Sequence, residues 1–333
     1  MSHSPHKELF RNSWRIVWRA LQIVPMLFAV GTILFVLLHA TPGGPIVALG
    51  GEYADASTVQ AIERQLGLDR PLPEQYLRFM AALAHGDLGQ SYFYKAPVLD
   101  VVLSRVPATL VLILPSMLYA MLIGIPLGIR AARGGTIDAV VMAVALVAFA
   151  LPVFWLGHLL RLGLAVDAGW LPIQGMVDPR AEPEGIGRAL DIARHAALPW
   201  LTLTLHQLAF TVLLTRSAMR VETRRPYFVT ALAFGRTRWQ AEFKHAFPNA
   251  ALPILTLFCN RCGSFIAGTV LVETVYAWPG LGQLVSGAIA NRDYPLIIGV
   301  VLFVTTVTLI VNVVADIVAG WIDPRVRPGR AQS

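Results

Sequence analysis

A chain of 333 residues that is 56% apolar and only 14% charged is not an ordinary soluble domain. Its net charge of +7 is split into separate clusters rather than gathered on one face, which argues against nucleic acid as a partner. Six apolar runs, at about 21–39, 108–130, 139–164, 198–219, 251–275 and 296–321, are each long enough to cross a hydrocarbon core of about 30 Å. The expected fold class is an all-α polytopic membrane protein with six transmembrane helices, seated in a lipid bilayer.

Residues 1–20 carry Lys7, Arg11, Arg15 and Arg19 ahead of a first span at 21–40. This run is longer than a signal-peptide core, and Leu38-His39-Ala40 is a poor cleavage site, so an uncleaved span is expected. His3 and His6 read as a tail without a metal.

The region 41–106 is too long for a plain loop. It opens on the turn-rich Thr41-Pro42-Gly43-Gly44-Pro45. Ser57 with Gln60 forms a capping-box pattern before a helix with Val59, Ile62 and Leu66 on one face, ended by Gly67. A second short helix, about Pro73 to His85, places Leu77, Met80 and Leu83 on one side before Gly86.

Arg130 and Arg133 separate the second and third spans. A larger basic group, Arg216, Arg220, Arg224, Arg225, Arg236, Arg238 and Lys244, lies between the fourth and fifth, and Arg325, Arg327 and Arg330 lie in the tail 323–333. The alternate loops hold more acid than base. By the positive-inside rule both termini and the 221–250 segment are cytoplasmic, and 41–106 faces outward. The polar stretch 165–195 reads as an outer loop anchored by Trp170-Leu171-Pro172. Pro25, Pro115, Pro126 and Pro152 predict kinks or ends of spans. Arg161, near the outer end of the third run, is placed to snorkel.

The segment 221–250 is the most informative. Pro226 suits the first turn of one short helix, and Gly235 suits a reversal that needs positive φ. Thr237 and Gln240 read as a capping box, with Trp239, Phe243 and Phe247 on one face of the next helix. A bent, half-apolar hairpin on a membrane protein is a knob for another protein to grip.

In the fifth run, Cys259 and Cys262 read as packing residues rather than a redox or metal pair. Arg261 is costly at that depth, about 2.5–3.5 kcal/mol even on lenient insertion scales. It faces either a water-filled path or a paired acid such as Asp316; Asn260 and Glu273 share its helix. Asn312 and Asp316 suit hydrogen bonding between helices. Trp278-Pro279-Gly280-Leu281-Gly282 breaks the helix beside the outer face, a pointer to a pathway entrance, before a short helix at Gln283–Ala290. No G-x-x-x-x-G-K-[ST], H-E-x-x-H or G-x-S-x-G pattern occurs, so no catalytic residue, cofactor or metal is assigned.

The hairpin resembles the EAA loop of bacterial ABC importer permeases. Other segments resemble the dipeptide, oligopeptide and nickel branch. These include Gly67-Leu68-Asp69-Arg70-Pro71-Leu72, Gly86-Asp87-Leu88-Gly89-Gln90-Ser91, Gly124-Ile125-Pro126-Leu127-Gly128, Pro152-Val153-Phe154-Trp155-Leu156-Gly157, Glu273 through Gly282, and Arg292-Asp293-Tyr294-Pro295.

The large outer region is similar to the B-type member of the permease pair. The resemblance implies a type I importer permease domain over 107–322 and no ATP hydrolysis by this chain. The implied partners are a second homologous permease, one or two ABC ATPase subunits and a periplasmic solute-binding protein, in the bacterial inner membrane. It places the ATPase-coupling positions on Ala231, Gly235, His245, Asn249 and Pro253, with Trp239 and Phe243 as packing residues of the hairpin. Asn260, Arg261, Glu273, Trp278, Pro279 and Gly280 become candidates for the path or its outer gate. The chain departs from the family pattern at Pro226, Leu232 and Phe234, which implies a more apolar contact with the ATPase.

Two other classes compete. An ion-coupled carrier would want midplane carboxylates and an inverted repeat. A membrane-embedded enzyme or scaffold would want a convergent catalytic constellation. The sequence offers neither.

Overall fold

The computed structural model describes residues 5–40, 60, 67, 69–180 and 184–322, and what it describes is helical apart from turns and one antiparallel bridge between Gln90 and Pro97. In chain order the helices are α1 (Pro5–Ala40), α2 (Leu72–Ala84), α3 (Val98–Ala132), α4 (Thr136–Ala150) and α5 (Val153–Leu160), which continues as a π-helical Arg161–Asp167. Then come α6 (Gly185–Glu222), α7 (Pro226–Ala233) and α8 (Arg238–Ala241). The last runs through a π-helical Glu242–Ala246 into α9 (Phe247–Val275), followed by α10 (Leu281–Ala290) and α11 (Tyr294–Ile322).

Among the described residues, Leu21–Ala40, Val98–Ala132, Gly185–Glu222 and Tyr294–Ala315 are long and apolar enough to span a membrane. The third apolar run is broken at Pro152, one of the prolines expected to kink or end a span. It divides into α4 and the α5–π segment, bent by 105°. The break is at Pro152, which precedes the first residue of α5, and Leu151 before it is extended (ψ 131°) as a residue ahead of proline must be. Two helices also start earlier than the apolar runs do: α3 at Val98 and α6 at Gly185, the latter inside the stretch read as loop. Of the Ser57–Gln60 capping box and its helix, only Gln60, which is helical, and Gly67, at φ +67°, are among the described residues.

The chain forms two compact units. The first comprises Met1–Pro107 and Gly280–Val313. In it α2 lies on α1. The Tyr76 hydroxyl is 2.9 Å from Thr32 Oγ1, Phe35 stacks edge-on to Tyr76 at 5.3 Å, and a Cβ on Gly31 would meet Met80 and Leu83 at 3.3 and 3.2 Å. Leu77, expected on this face, is 66% exposed: the packing face is Tyr76, Phe79/Met80 and Leu83.

In the same unit Asp293 is fully buried. It accepts hydrogen bonds from Ser91 Oγ and, at 3.0 Å, from Phe93 N–H, while its Oδ1 caps α11 by accepting from Leu296 N–H at 3.2 Å. Burial, then the Asp293 charge, pushes the phenol of nearby Tyr92 up to about 12.

The second unit comprises Ala108–Pro279 and Val314–Ser333. Its main core gathers Leu112, Leu198, Leu203, Phe265, Val272, Tyr276 and Trp278. The Tyr276 hydroxyl donates to Gly157 O at 2.9 Å and lies 2.9 Å from Thr202 Oγ1, joining the end of α9 to α5 and α6. Arg161, expected near the outer end of the third run, makes a specific contact. Its guanidinium donates to Val275 O at 2.7 Å, placing a cation on the carbonyl end of α9. Helices α3 and α6 meet through Gly124 and Gly128, where a Cβ would come within 2.9 Å of Thr211 and 2.5 Å of Thr215.

Candidate functional site

The hairpin between α6 and α9 is built from local signals. Helix α7 starts on Pro226 at its first position after an extended Arg225. Its end is a Schellman reversal: Gly235 has φ +78°, its N–H donates to Leu232 O at 3.0 Å, and Arg236 N–H donates to Ala231 O at 3.2 Å. The next helix opens with the reciprocal capping box, Gln240 N–H to Thr237 Oγ1 and Thr237 N–H to Gln240 Oε1, both 3.3 Å. Trp239, Phe243 and Phe247 then form a ladder with ring centroids 4.9 and 6.1 Å apart.

One side of this hairpin is anchored. Phe228, Ala241, Ala246, Ala250 and Ile254 pack with Ile129 of α3 and Met219 of α6, and Ala231 is half-buried against them. The other side is bare and apolar: Phe234 is 84% exposed and Trp239 60%, with Val229, Leu232, Tyr227 and Phe243 also exposed. Asn249 Nδ2 donates to His245 O at 2.8 Å and reaches the Tyr227 hydroxyl at 3.4 Å, tying the two legs together. Tyr227 in turn donates to Glu222. Burial first, and then the Glu222 carboxylate, push the Tyr227 phenol up to about 12. Its proton therefore stays available to Glu222 throughout the physiological range. Pro253 lies nearly two turns into α9, exposed.

Of the residues read as path or gate, Arg261 is half-buried at the midpoint of α9, with its guanidinium 4.1 Å from the Phe210 ring centroid of α6. The side chains of Asn260, Cys259, Cys262 and Asp316 lie outside the described residues. Glu273 and Trp278 are fully buried. Glu273 accepts from Thr109 Oγ1 at 2.7 Å, and the Trp278 indole donates to Ala108 O at 2.8 Å. Both fasten the end of α9 to α3 and neither lines an open surface. Pro279 is partly exposed, and Gly280 is buried at the start of α10.

Sequence reasoning missed two charge clusters. Glu242, 1% exposed, is held by Arg133 and Arg238; Asp138 is held by Arg216 and Arg220. Only Arg238–Glu242, an i,i+4 pair, could be read from helical spacing; the other partners lie 78 to 109 residues apart, and nothing local signals them.

Residues 124–328 match the family described as binding-protein-dependent transport system inner membrane component, and residues 14–113 match the N-terminal membrane component of such systems. The di/tripeptide transport system permease protein DppB of Pseudomonas aeruginosa (strain UCBPP-PA14) is 37% identical over 92% of this chain and 97% of its own length. The dipeptide transport system permease protein DppB of Escherichia coli (strain K12) is 34% identical over 92% and 96%. The fold is similar to a solved chain of the inward-facing MetNI methionine ABC transporter (CY5 native crystal form), at TM-score 0.54 and 17% identity, covering 68% of this chain and 97% of that one. A family model spanning most of the chain and relatives aligned almost end to end lead to one conclusion: the chain belongs to the binding-protein-dependent transport system inner membrane component family.

Proposed function

We propose that this inner-membrane ABC permease subunit forms one half of a two-permease pathway for peptides, driven through the Pro226–Ala246 hairpin by separate ATPase subunits. One observation carries this reading: the hairpin is rigidly anchored on its inner face while its outer face exposes Phe234, Trp239 and Phe243. An apolar patch on an ordered knob is what a cleft in a partner needs. The peptide class rests on relatives named for di/tripeptide and dipeptide transport.

In this reading α1, α3, the bent α4–α5 pair, α6, α9 and α11 are the six spans. Residues 1–20 and 323–333 are cytoplasmic, and 41–106 faces the periplasm. A binding protein delivers cargo to that outer face. Closure of the ATPases around ATP draws the hairpins of both permeases together and turns the pathway outward.

Trp239→Ala tests the grip. A central exposed tryptophan in a docking surface contributes about 2 kcal/mol or more, so ATPase affinity should fall roughly thirtyfold. Co-purification of the ATPase with membrane-inserted permease measures it. Undiminished association would remove the hairpin from the contact.

Arg261 is the pathway candidate we retain. Its guanidinium on the Phe210 ring suits a position that also meets passing cargo. Arg261→Ala is expected to lower peptide uptake severalfold at normal membrane abundance, with Arg261→Lys only partly restoring it because an ammonium stacks less well. Reduced abundance with unchanged uptake per molecule would make Arg261 a structural residue.

A further inference from the structure

We infer that the α3–α4 turn is a bracket joining the end of α6, which feeds the hairpin, to the hairpin's outgoing leg, and that Asp138 and Glu242 are positioning residues for coupling. This rests on the hairpin being the ATPase grip.

The turn is short and stiff. Gly134 and Gly135 follow each other at φ +80° and +81°, and Gly134 N–H closes onto Ala131 O at 3.0 Å. On one side of the glycine pair stands a cation, Arg133; on the other an anion, Asp138. Arg133 reaches the leg that leaves the hairpin: its Nε lies 3.0 Å from both oxygens of Glu242, in the π-helical segment, and Arg238 Nε adds a contact at 3.2 Å. Asp138 reaches the helix that feeds the hairpin: it accepts from Arg216 Nη2 at 2.9 Å, and also from Arg216 Nε and Arg220 Nη2, near the end of α6.

The charges are complementary in both directions, so the turn cannot swap legs. Both acids are largely withdrawn from water, Glu242 at 1% and Asp138 at 13% side-chain exposure, so separating either pair would strand a charge. A π-helical stretch marks a place where helix register departs from the ordinary, and here it coincides with the acid that is gripped. The consequence is mechanical. A push on the exposed aromatic face moves α6, the turn and the start of α9 as one body instead of opening the hairpin like a hinge.

The test uses the assembled importer, with both permeases, the ATPases and the binding protein, in liposomes. Glu242→Gln and Asp138→Asn preserve shape and remove charge, singly and together. The expected result is near-normal ATP hydrolysis with severalfold less peptide imported per ATP, and a further fall in the double variant. Uptake and hydrolysis falling in proportion to the amount of assembled complex would overturn the bracket.

Should a variant not accumulate, spin labels on the otherwise unchanged bracket decide the matter. Labels at Ile137→Cys and Lys244→Cys, with Cys259 and Cys262 replaced by alanine, should keep one distance through the ATP cycle. A distance that changes between nucleotide states would overturn the bracket. Trp239→Ala separates the two ideas. If it abolishes ATPase association while the charge variants stay fully coupled, the grip stands and the bracket falls. If association survives Trp239→Ala, the bracket loses its basis.

Discussion

Gly235→Val is expected to abolish peptide uptake while the permease still inserts at its normal level. A Cβ at this position would meet nothing within 4 Å, so the effect is not a clash. It is conformational: φ is +78°, and an L-residue held there costs about 1–2 kcal/mol, with a β-branched one at the upper end. Valine relieves that strain by leaving the left-handed region, which breaks the paired bonds from Gly235 and Arg236 to Leu232 and Ala231. Helix α8 then swings away from α7, and Phe234 and Trp239 no longer present one surface.

The anchored face, from Phe228 to Ile254, stays packed, which is why insertion survives. Gly235→Asn provides the control, because asparagine tolerates the left-handed region and should retain most uptake. Uptake measured beside ATP hydrolysis in the assembled importer decides it. Full transport by the valine variant would mean that the bend geometry is not what couples.

The parts of this molecule that could be read in advance are those governed by a few neighbouring residues. Pro226 opening α7, positive φ at Gly235, and the Thr237–Gln240 box depend only on local backbone chemistry, and each is present. The aromatic ladder from Trp239 to Phe247 follows from helical spacing alone and survives even a π-helical turn in its middle.

Hydropathy was less informative. It counts apolar residues but not directions, so Pro152 marks a kink or an end while the 105° of the bend is not legible. The pre-proline restriction at Leu151 was the available clue. Helix α6 begins at Gly185 because polar residues on an exposed first stretch can be helical just as well as looped. Pairings such as Arg133 with Glu242, or Phe210 with Arg261, depend on tertiary packing that one sequence does not encode in any local pattern. That is why the anchoring half of the site went unread while its exposed half was legible.

The second large effect is expected at Gly128. Helices α3 and α6 approach through two glycines four residues apart, Gly124 and Gly128, set against two threonines four apart, Thr211 and Thr215. A Cβ on Gly128 would sit 2.5 Å from the Cβ of Thr215 and 3.0 Å from the Val212 carbonyl oxygen. Neither a Cβ nor a backbone oxygen can move aside by changing rotamer, so the helices themselves must separate. Overpacking of this kind costs about 1–3 kcal/mol, and a branched residue should exceed that range.

At Gly124 the nearest atoms, Thr211 Cβ and Cγ2, both lie at 2.9 Å and no backbone atom is among the close contacts, so the helices need part by less. The expected order of damage is therefore Gly124→Ala, then Gly128→Ala, then Gly128→Val, read as membrane abundance and protease resistance. The damage should travel. Ile129, one residue on, is buried under the hairpin, and Arg133 holds Glu242, so displacing α3 disturbs the anchored face as well.

Thr215→Gly should partly rescue Gly128→Ala. The Thr215 hydroxyl is buried without a hydrogen-bond partner among the described residues, so removing it sacrifices no bond. The two changes together should then be far less harmful than the sum of each alone. Wild-type abundance for Gly128→Ala, or strict additivity with Thr215→Gly, would show that α3 and α6 do not depend on this close approach.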